Sequence, residues 1–266
     1  MAERGTSLRR GLQILLAFGS DEALAEGGVG VTQIAALIGQ EKSQVSRALA
    51  VLSEYGLVQR SSGGRTYRLG RACFMLASRA GEPRLIEEAR PALARLVEEV
   101  GEAAHLSVLQ GAQVLTLLTQ ASSHAIVARN WVGRTIPAYC TSSGRALLLD
   151  HDRAGLLELL GVNRFAPQGP NTPADVAALL RRIRRARQLG YAVADEESER
   201  GLVAVAAPIR DFTGRVVAAI NVSAPKFRLG GLLHPTGRLV SAAAEQLSDT
   251  LGAPGDQNRG RMAVSE

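Results

Sequence analysis

The amino-terminal fold is decided by residues 31–71, which read VTQIAALIGQEKSQVSRALAVLSEYGLVQRSSGGRTYRLGR. Their first part predicts a short helix with Thr32 as its N-cap and Gly39 as its stop, because a helix that ends tightly needs a left-handed residue. A second helix is expected from about 42 to 54, where apolar side chains recur at i, i+3, i+4 and i+7. Two short helices in this order predict a helix-turn-helix.

After the second helix, the apolar period changes from that of a helix to that of a strand. Residues 57–60 and 66–69 predict two strands, and the glycine-rich segment 61–65 between them is typical of a hairpin tip. An amphipathic helix precedes the two short helices, because Leu8, Leu12, Leu15, Leu16 and Phe18 recur with helical spacing. We therefore predict a winged helix-turn-helix domain for DNA binding over residues 1–70.

Positive charge is concentrated in residues 40–71, which hold six basic side chains against two acidic ones and coincide with the helix-turn-helix and the hairpin. The second helix of such a domain enters the major groove by its amino-terminal half, so Ser43, Gln44 and Arg47 are expected at base edges or flanking phosphates. Arg65, at the hairpin tip, suits a phosphate or minor-groove contact. The alternative is a helical bundle with a solvated basic face. The candidate DNA-binding residues are Thr32, Lys42, Ser43, Gln44, Ser46, Arg47, Arg60 and Arg65.

A second domain is predicted over residues 83–252, after a linker helix over 71–82 that Gly81-Glu82-Pro83 interrupts. Its strands recur at hairpin-like spacing between helices, which predicts an α+β fold with an antiparallel sheet flanked by helices. Thr172-Pro173 is expected to cap a long helix. The predicted helices span about 85–100, 145–150, 153–160, 172–189 and 233–251, and the predicted strands about 103–109, 114–119, 125–130, 191–194, 203–209 and 216–222. Residues 253–266 are polar, and we expect a disordered tail.

Two segments of the second domain are rich in groups that attract anions. Residues 141–145, Thr-Ser-Ser-Gly-Arg, place hydroxyls and free amides at a helix start, where the helix dipole favours a small carboxylate. The alternative is that Ser142 or Ser143 simply caps the helix. Residues 181–187 hold five arginines within a predicted helix, and a solvated helix face explains them better than nucleic-acid binding does.

Further polar residues interrupt the apolar strands of this domain. Glu196 and Glu197 are adjacent, so we expect them to divide between a pocket and solvent. Asn221 and Ser223 alternate along a strand and would face one side of the sheet, where they line a cavity or bond to neighbouring loops. His105, on another strand, either contacts a ligand or is a hydrogen-bonded core histidine.

Composition and motifs exclude several classes of protein. Cys73 and Cys140 are too few and too far apart for a disulfide scaffold or a zinc cluster. Apolar runs are shorter than the roughly 20 residues of a membrane span, and no secretory signal is recognised, so a cytoplasmic location is expected. Nucleophile-elbow, phosphate-loop and dinucleotide motifs are missing, and the four histidines lack metal-ligand spacing. We predict no catalytic residue, metal or cofactor, and the protein is not expected to be an enzyme.

Three parts of the sequence resemble the IclR-type transcriptional regulators, in the same order and over about residues 7–251. The first is Ser7-Leu8-x-Arg10-Gly11-Leu12-x-Ile14-Leu15 with Val31-Thr32-x-Ile34-Ala35 and Gly39-x-x-Lys42-Ser43-x-Val45-x-Arg47-x-Leu49. The second is Pro137-x-x-x-Thr141-x-Ser143-Gly144-Arg145-Ala146-Leu147. The third is Asp195-Glu196-Glu197-x-x-x-Gly201, running to Ala206-Ala207-Pro208-Ile209.

This resemblance implies a GAF-like effector-binding domain, dimers that commonly pair into tetramers, and a palindrome-like DNA operator. It also implies a pocket for small metabolites, often organic acids or aromatics. Ala204 stands where relatives often have Cys or Ser, and Ala194 where some have an acid, so the ligand is less polar or is recognised by other residues. The implied effector-binding residues are Thr141, Ser142, Ser143, Gly144, Asp195, Ala204 and Ser223.

The sequence thus predicts a cytoplasmic DNA-binding regulator, a repressor, whose operator affinity is controlled by a small molecule in the carboxy-terminal domain. Two alternatives stay open. One is a small-molecule enzyme with a basic accessory domain, which a nucleophile–base pair in the pocket would favour. The other is an architectural DNA-binding protein without a ligand, which a fully packed second domain would favour.

Overall fold

The computed structural model describes residues 6–19, 28–61, 65–77, 83–123 and 131–253. The chain divides into two compact units, Met1–Pro83 and Arg84–Glu266. Three predicted segments lie outside the described residues: the strand at 125–130, the hairpin tip at 62–64 and most of the tail. None of the described helices is long and apolar enough to cross a membrane.

Among its described residues, the first unit combines four helices with a small antiparallel sheet of order β1-β3-β2. Its core holds Ile14, Ile34, Val45, Leu49 and Val58, which the helical and strand periods turn inward. The elements are α1 (Thr6–Ala17), β1 (Val29–Gly30), α2 (Val31–Ile38), α3 (Lys42–Glu54), β2 (Val58–Arg60), β3 (Thr66–Leu69) and α4 (Arg71–Ala77). The predicted winged helix-turn-helix is confirmed.

Two details of this unit differ from the prediction. Thr32 lies inside α2 rather than at its N-cap, because the helix begins two residues earlier than predicted, after Gly30, whose amide donates to Gln33 Oε1 at 2.9 Å. The apolar residues predicted for the first helix are only partly buried in this unit: Phe18 is buried and Leu15 half-buried, whereas Leu8 is 71% exposed and Leu16 77% exposed. The prediction that Gly39 ends α2 is confirmed by its left-handed φ of 62°.

The second unit is built on a six-stranded antiparallel sheet of order β6-β5-β4-β9-β8-β7. The strands are β4 (Ala103–Gln110), β5 (Gln113–Gln120), β6 (Thr135–Pro137), β7 (Ala192–Asp195), β8 (Leu202–Arg210) and β9 (Val216–Pro225). The helices are α5 (Pro83–Val100), α6 (Ser142–Leu147), α7 (Arg153–Leu160), α8 (Val176–Leu189), α9 (Lys226–Leu229) and α10 (Leu233–Thr250). The predicted α+β fold class is confirmed.

Strand alternation gives this sheet two different faces. On one face, β8 directs Val203, Val205 and Ile209 into an apolar core with α5 and α10. On the other face, Ala206 and Ala219 pack with α6, α7 and α8. This second face also carries the polar residues of β4 and β9, because alternate residues of a strand point to the same side of the sheet. The polar residues therefore lie between the sheet and α6.

Two predicted helix starts are wrong. The helix expected at 145–150 begins at Ser142, capped by Thr141. The helix expected at 172 begins at Val176, capped by Asp175, whose carboxylate accepts from the Ala178 amide at 2.7 Å. Thr172 turns elsewhere because its hydroxyl donates to the carbonyl of Glu197 at 2.6 Å. Strands β1 and β6 are too short for their period to be recognised.

Candidate functional sites

The exposed side of α3 carries most of the predicted DNA contacts. Val45 and Leu49 turn into the core, which leaves Ser43 and Arg47, one turn apart, on the opposite face. Gln44 is half-buried, because it borders a groove between α1 and α3. Thr32, Lys42, Ser43, Ser46, Arg47, Arg60 and Arg65 are exposed.

The cations of this surface are available to a polyanion. Within the described part of the chain, no carboxylate forms an ion pair with Lys42, Arg47 or Arg65. Arg60 lies over the ring of Tyr67, with 5.3 Å from the guanidinium carbon to the ring centre, which orients the side chain along the hairpin. Such an array suits phosphate contacts around a helix that reads bases.

A cavity lies in the second unit between the polar face of the sheet and the start of α6. The volume open to the centres of water molecules is about 60 Å³. One water needs roughly 10–15 Å³ by this measure, so the cavity has room for several waters or for a small ligand. Five of the seven predicted effector residues line it: Thr141, Ser142, Ser143, Ala204 and Ser223. The other lining residues are His105, Ser107, Val114, Thr116, Trp131, Ile136, Ala194, Ser198, Leu202, Val203 and Asn221.

The cavity wall combines neutral hydrogen-bonding groups with apolar side chains. No Asp, Glu, Lys or Arg belongs to the wall that the structure describes. The amide of Gly144 donates to Thr141 Oγ1 at 2.9 Å, so Thr141 is the cap, and neither Ser142 nor Ser143 has that role. The backbone amides of Ser142 and Ser143 have no acceptor among the described residues. These two amides and their hydroxyls can therefore donate to a ligand.

Gly144 and Asp195, the other two predicted effector residues, do not line the cavity. Gly144 faces the backbone of Ala138, which a Cβ would overlap, so its small size lets α6 approach that turn. Asp195 turns outward and pairs with Lys226 at 2.8 Å. The structure thus gives both residues packing and pairing contacts away from the cavity.

The sequence predicted that Glu196 and Glu197 divide between the pocket and solvent, but neither side chain lines the cavity. Glu196 accepts from Lys226 at 2.7 Å and from the Gly201 amide at 2.8 Å, and the bond from Lys226 lowers the pKa of Glu196. Glu197 is buried against Arg145 and Arg182. Arg182 therefore departs from the predicted solvated arginine face, although Arg181, Arg184, Arg185 and Arg187 are exposed.

His105 lines the cavity but is not among the seven predicted effector-binding residues. Its Nδ1 lies 2.9 Å from Thr119 Oγ1 and its Nε2 lies 3.1 Å from Ser223 Oγ. Burial lowers the pKa of His105 to about 4, so the ring is neutral at pH 7. Its position opposite Asn221 in the β4–β9 pairing is the signal that could have found it.

The His105–Ser223 contact also bears on the enzyme alternative, because a serine and a base within hydrogen-bond distance begin a catalytic pair. A histidine with a pKa near 4 is a weak base at neutral pH, and its other nitrogen meets a hydroxyl rather than a carboxylate. Burial raises the pKa of the Cys140 thiol to about 12, which makes it a poor nucleophile. The described residues include no cluster of three metal ligands.

Comparisons with known proteins agree with this two-part architecture. The family model "IclR helix-turn-helix domain" matches residues 7–62, and "Bacterial transcriptional regulator IclR C-terminal" matches residues 79–249. The chain is 33% identical over 248 residues to the HTH-type transcriptional regulator BhcR of Paracoccus denitrificans, covering 91% of this chain and 86% of that protein. It is 34% identical over 221 residues to the Pca regulon regulatory protein of Pseudomonas putida, covering 82% and 74%.

Solved structures show the same likeness. An IclR homolog of Microbacterium hydrocarbonoxydans, in complex with 4-hydroxybenzoate, superposes with a TM-score of 0.81 and 27% identity, over 92% of this chain and 99% of that one. The Thermotoga maritima IclR superposes with a TM-score of 0.73 and 26% identity, over 92% and 98%.

Proposed function

Because the chain belongs to the IclR family of bacterial transcriptional regulators, which are not enzymes, we propose that it is a dimeric repressor. A small organic acid or aromatic compound controls its affinity for a palindrome-like operator. In this proposal, residues 1–70 form the DNA-binding domain and residues 83–252 form the effector-binding domain. Residues 71–82 form the linker between the two domains. Because it acts on DNA, the protein works in the cytoplasm. The observation that carries the proposal is the cavity beside α6, where the backbone amides of Ser142 and Ser143 have no acceptor among the described residues.

On the DNA side, the amino-terminal half of α3 enters the major groove. Ser43, Gln44 and Arg47 meet base edges, and Arg47 is suited to the O6 and N7 atoms of guanine. Lys42, Arg60 and Arg65 contact phosphates that fix the register, and Thr32 and Ser46 lie beside them. The exposure of these side chains, Gln44 in part, supports this assignment.

On the effector side, Thr141, Ser142, Ser143, Ala204 and Ser223 surround the ligand together with His105 and Asn221. The two free amides at the start of α6 favour a carboxylate, and Trp131, Val114 and Ile136 favour an apolar or aromatic body. The related structure that holds 4-hydroxybenzoate supports this chemistry. A cavity of this kind argues against a ligand-free architectural protein.

The dimer is supported by apolar side chains that the first unit leaves exposed. On α1, Leu8, Leu12 and Leu16 are exposed, and on α4 Phe74 is 78% exposed. Apolar faces of this kind on a DNA-binding unit are suited to a second copy of the chain. Repression is supported by relatives that are 28% identical and named HTH-type transcriptional repressor AllR.

The effector site is tested by Ser143→Leu, which fills the cavity at a buried position. A thermal-shift screen of organic acids and aromatic compounds should find ligands that raise the melting temperature of the wild type. The variant should lose this shift and the ligand's effect on DNA affinity, yet bind DNA normally and keep a cooperative melting transition, which shows that it folds. Ala177→Leu, at an exposed site of α8, is the matched control.

Asn221→Leu, a change of similar volume on the opposite wall, should give the same result as Ser143→Leu. A ligand shift and a DNA response that persist in both variants would remove this cavity from the function. Loss of the response in Ala177→Leu as well would point to general destabilisation instead.

A further inference from the structure

A buried charge cluster lies directly behind the cavity. Arg145 comes two residues after Ser143 on α6, and its side chain is 2% exposed. Its guanidinium donates to the carbonyl of Val193 on β7 and to the carboxylate of Glu197. One side chain therefore ties α6 to an edge strand and to the loop after it.

Glu197 holds a second arginine, which comes from α8. Arg182 Nη1 lies 2.6 Å from Glu197 Oε2, and the Arg182 side chain is 34% exposed. The backbone carbonyl of Glu197 is fixed as well, because it accepts from the Gly169 amide at 3.0 Å and from the Thr172 hydroxyl at 2.6 Å. Two guanidinium groups share one carboxylate, so the cluster carries a net charge of +1.

This cluster joins the two sides of the cavity. Arg145 follows Ser142 and Ser143 in the chain, and Glu197 precedes Ser198, so each partner is next to lining residues on its own side. The described cavity wall itself holds no charged side chain. A full positive charge that adds to the preference of the wall amides for an anion must therefore come from behind the wall, and the cluster of Arg145, Arg182 and Glu197 supplies a positive excess there.

We propose that Arg145 and Glu197 position the two walls of the cavity, and that the net positive charge of the cluster with Arg182 selects an anionic effector over its neutral isostere. This rests on the proposed function, since it assumes that the cavity is the effector site. Arg145, Arg182 and Glu197 are positioning and selectivity residues, and the direct contacts are made by the neutral donors of the wall.

The test uses the full chain and four monocarboxylates: acetate, pyruvate, benzoate and 4-hydroxybenzoate. Each is titrated calorimetrically beside its primary amide, which is similar in shape but uncharged. The wild type should bind at least one acid more tightly than its amide. Arg182→Gln should weaken binding of that acid by roughly four- to sixteenfold, the effect of one charge at an assumed separation of about 10 Å in an effective dielectric of about 20–40, and leave the amide unchanged.

Two further variants separate charge from shape. Arg184→Gln removes an exposed arginine of the same helix and should change neither affinity, because its charge is screened by solvent. Glu197→Gln keeps the shape and raises the cluster charge, so the ratio of acid to amide affinity should increase. If it does not fold, Arg182→Gln alone decides.

The outcomes distinguish a failure of this inference from a failure of the proposed function. Suppose that acids bind the wild type, and that Arg182→Gln weakens the binding of acid and amide equally or weakens the binding of neither. The selectivity role is then wrong, while the assignment of the cavity as the effector site is unaffected. If amides bind as tightly as acids to the wild type, the inference is likewise wrong. If neither acids nor amides bind the wild type, the inference and the proposed ligand class both fail.

Discussion

Arg47 is the side chain on which base recognition depends most directly in this account. It is exposed on α3, one turn from Ser43. Arg47→Ala should cost specific DNA binding roughly 1–3 kcal/mol and relax base preference at one position. Fluorescence anisotropy with an operator fragment and a scrambled fragment measures both losses.

Arg47→Lys is the informative companion, because it keeps the charge and loses the two-pronged contact with guanine. It should bind scrambled DNA like the wild type and the operator less tightly. Equal losses on both fragments in Arg47→Ala would make Arg47 a phosphate contact rather than a reader of bases.

His105 should make stability depend on pH in a defined window. Its folded pKa of about 4 lies below the ordinary value of 6.5, so the unfolded chain binds a proton more readily between these values. The free energy of unfolding should therefore fall as pH is lowered from 6.5 to 4, by up to about 3 kcal/mol from this residue. Urea denaturation across this range measures it.

His105→Gln isolates this contribution from those of other titrating groups. The variant keeps hydrogen-bonding capacity between Thr119 and Ser223 but cannot be charged. The difference in unfolding free energy between wild type and variant should change across the window and level off above pH 6.5. A constant difference would show that His105 titrates alike in the folded and unfolded chains.

At the scale of elements, α6 is placed by a close approach of backbones. Gly144→Ala would drive its Cβ into the Ala138 backbone, so we expect a loss of roughly 1–3 kcal/mol in unfolding free energy, with weaker ligand binding as α6 shifts. Gly155→Ala, on α7, meets its neighbours at 3.4 Å or more and should be neutral or stabilising. Equal effects of the two changes on chemical denaturation would contradict the close approach.

The sequence predicted most helices and strands of both units, because their apolar periods are long and regular. It misplaced helix starts where several residues could act as caps. Thr172 and Asp175 are both good N-caps, and the choice falls on Asp175 because Thr172 bonds to Glu197, 25 positions away. Such a partner is invisible to a local pattern.

The same reasoning explains what was found of the cavity. Alternation along β9 correctly placed Asn221 and Ser223 on the cavity side. The pairing of Arg145 with Glu197 was missed, because it joins residues 52 positions apart that only the folded sheet brings together. The pairing of Asp195 was invisible for the same reason, since its partner Lys226 comes from a later segment.

At the scale of the whole molecule, a two-fold symmetric dimer requires two half-sites on one face of the DNA. Inserting about 5 base pairs between the half-sites turns them to opposite faces of the DNA and should weaken binding strongly. Inserting about 10 base pairs returns them to the same face and should restore much of the affinity. Gel-shift titrations of the three fragments test this. Equal affinity for all three would mean that the two halves of the operator are read independently.

The most direct test of the central claim is anisotropy titration of the full chain on DNA flanking its own gene, with and without a ligand that raises its melting temperature. Effector-controlled operator binding predicts a preference over scrambled DNA, weaker binding at higher salt, and a change in DNA affinity of roughly 5- to 150-fold on adding the ligand. Equal binding to both DNAs at low salt, unaffected by any such ligand, would contradict it.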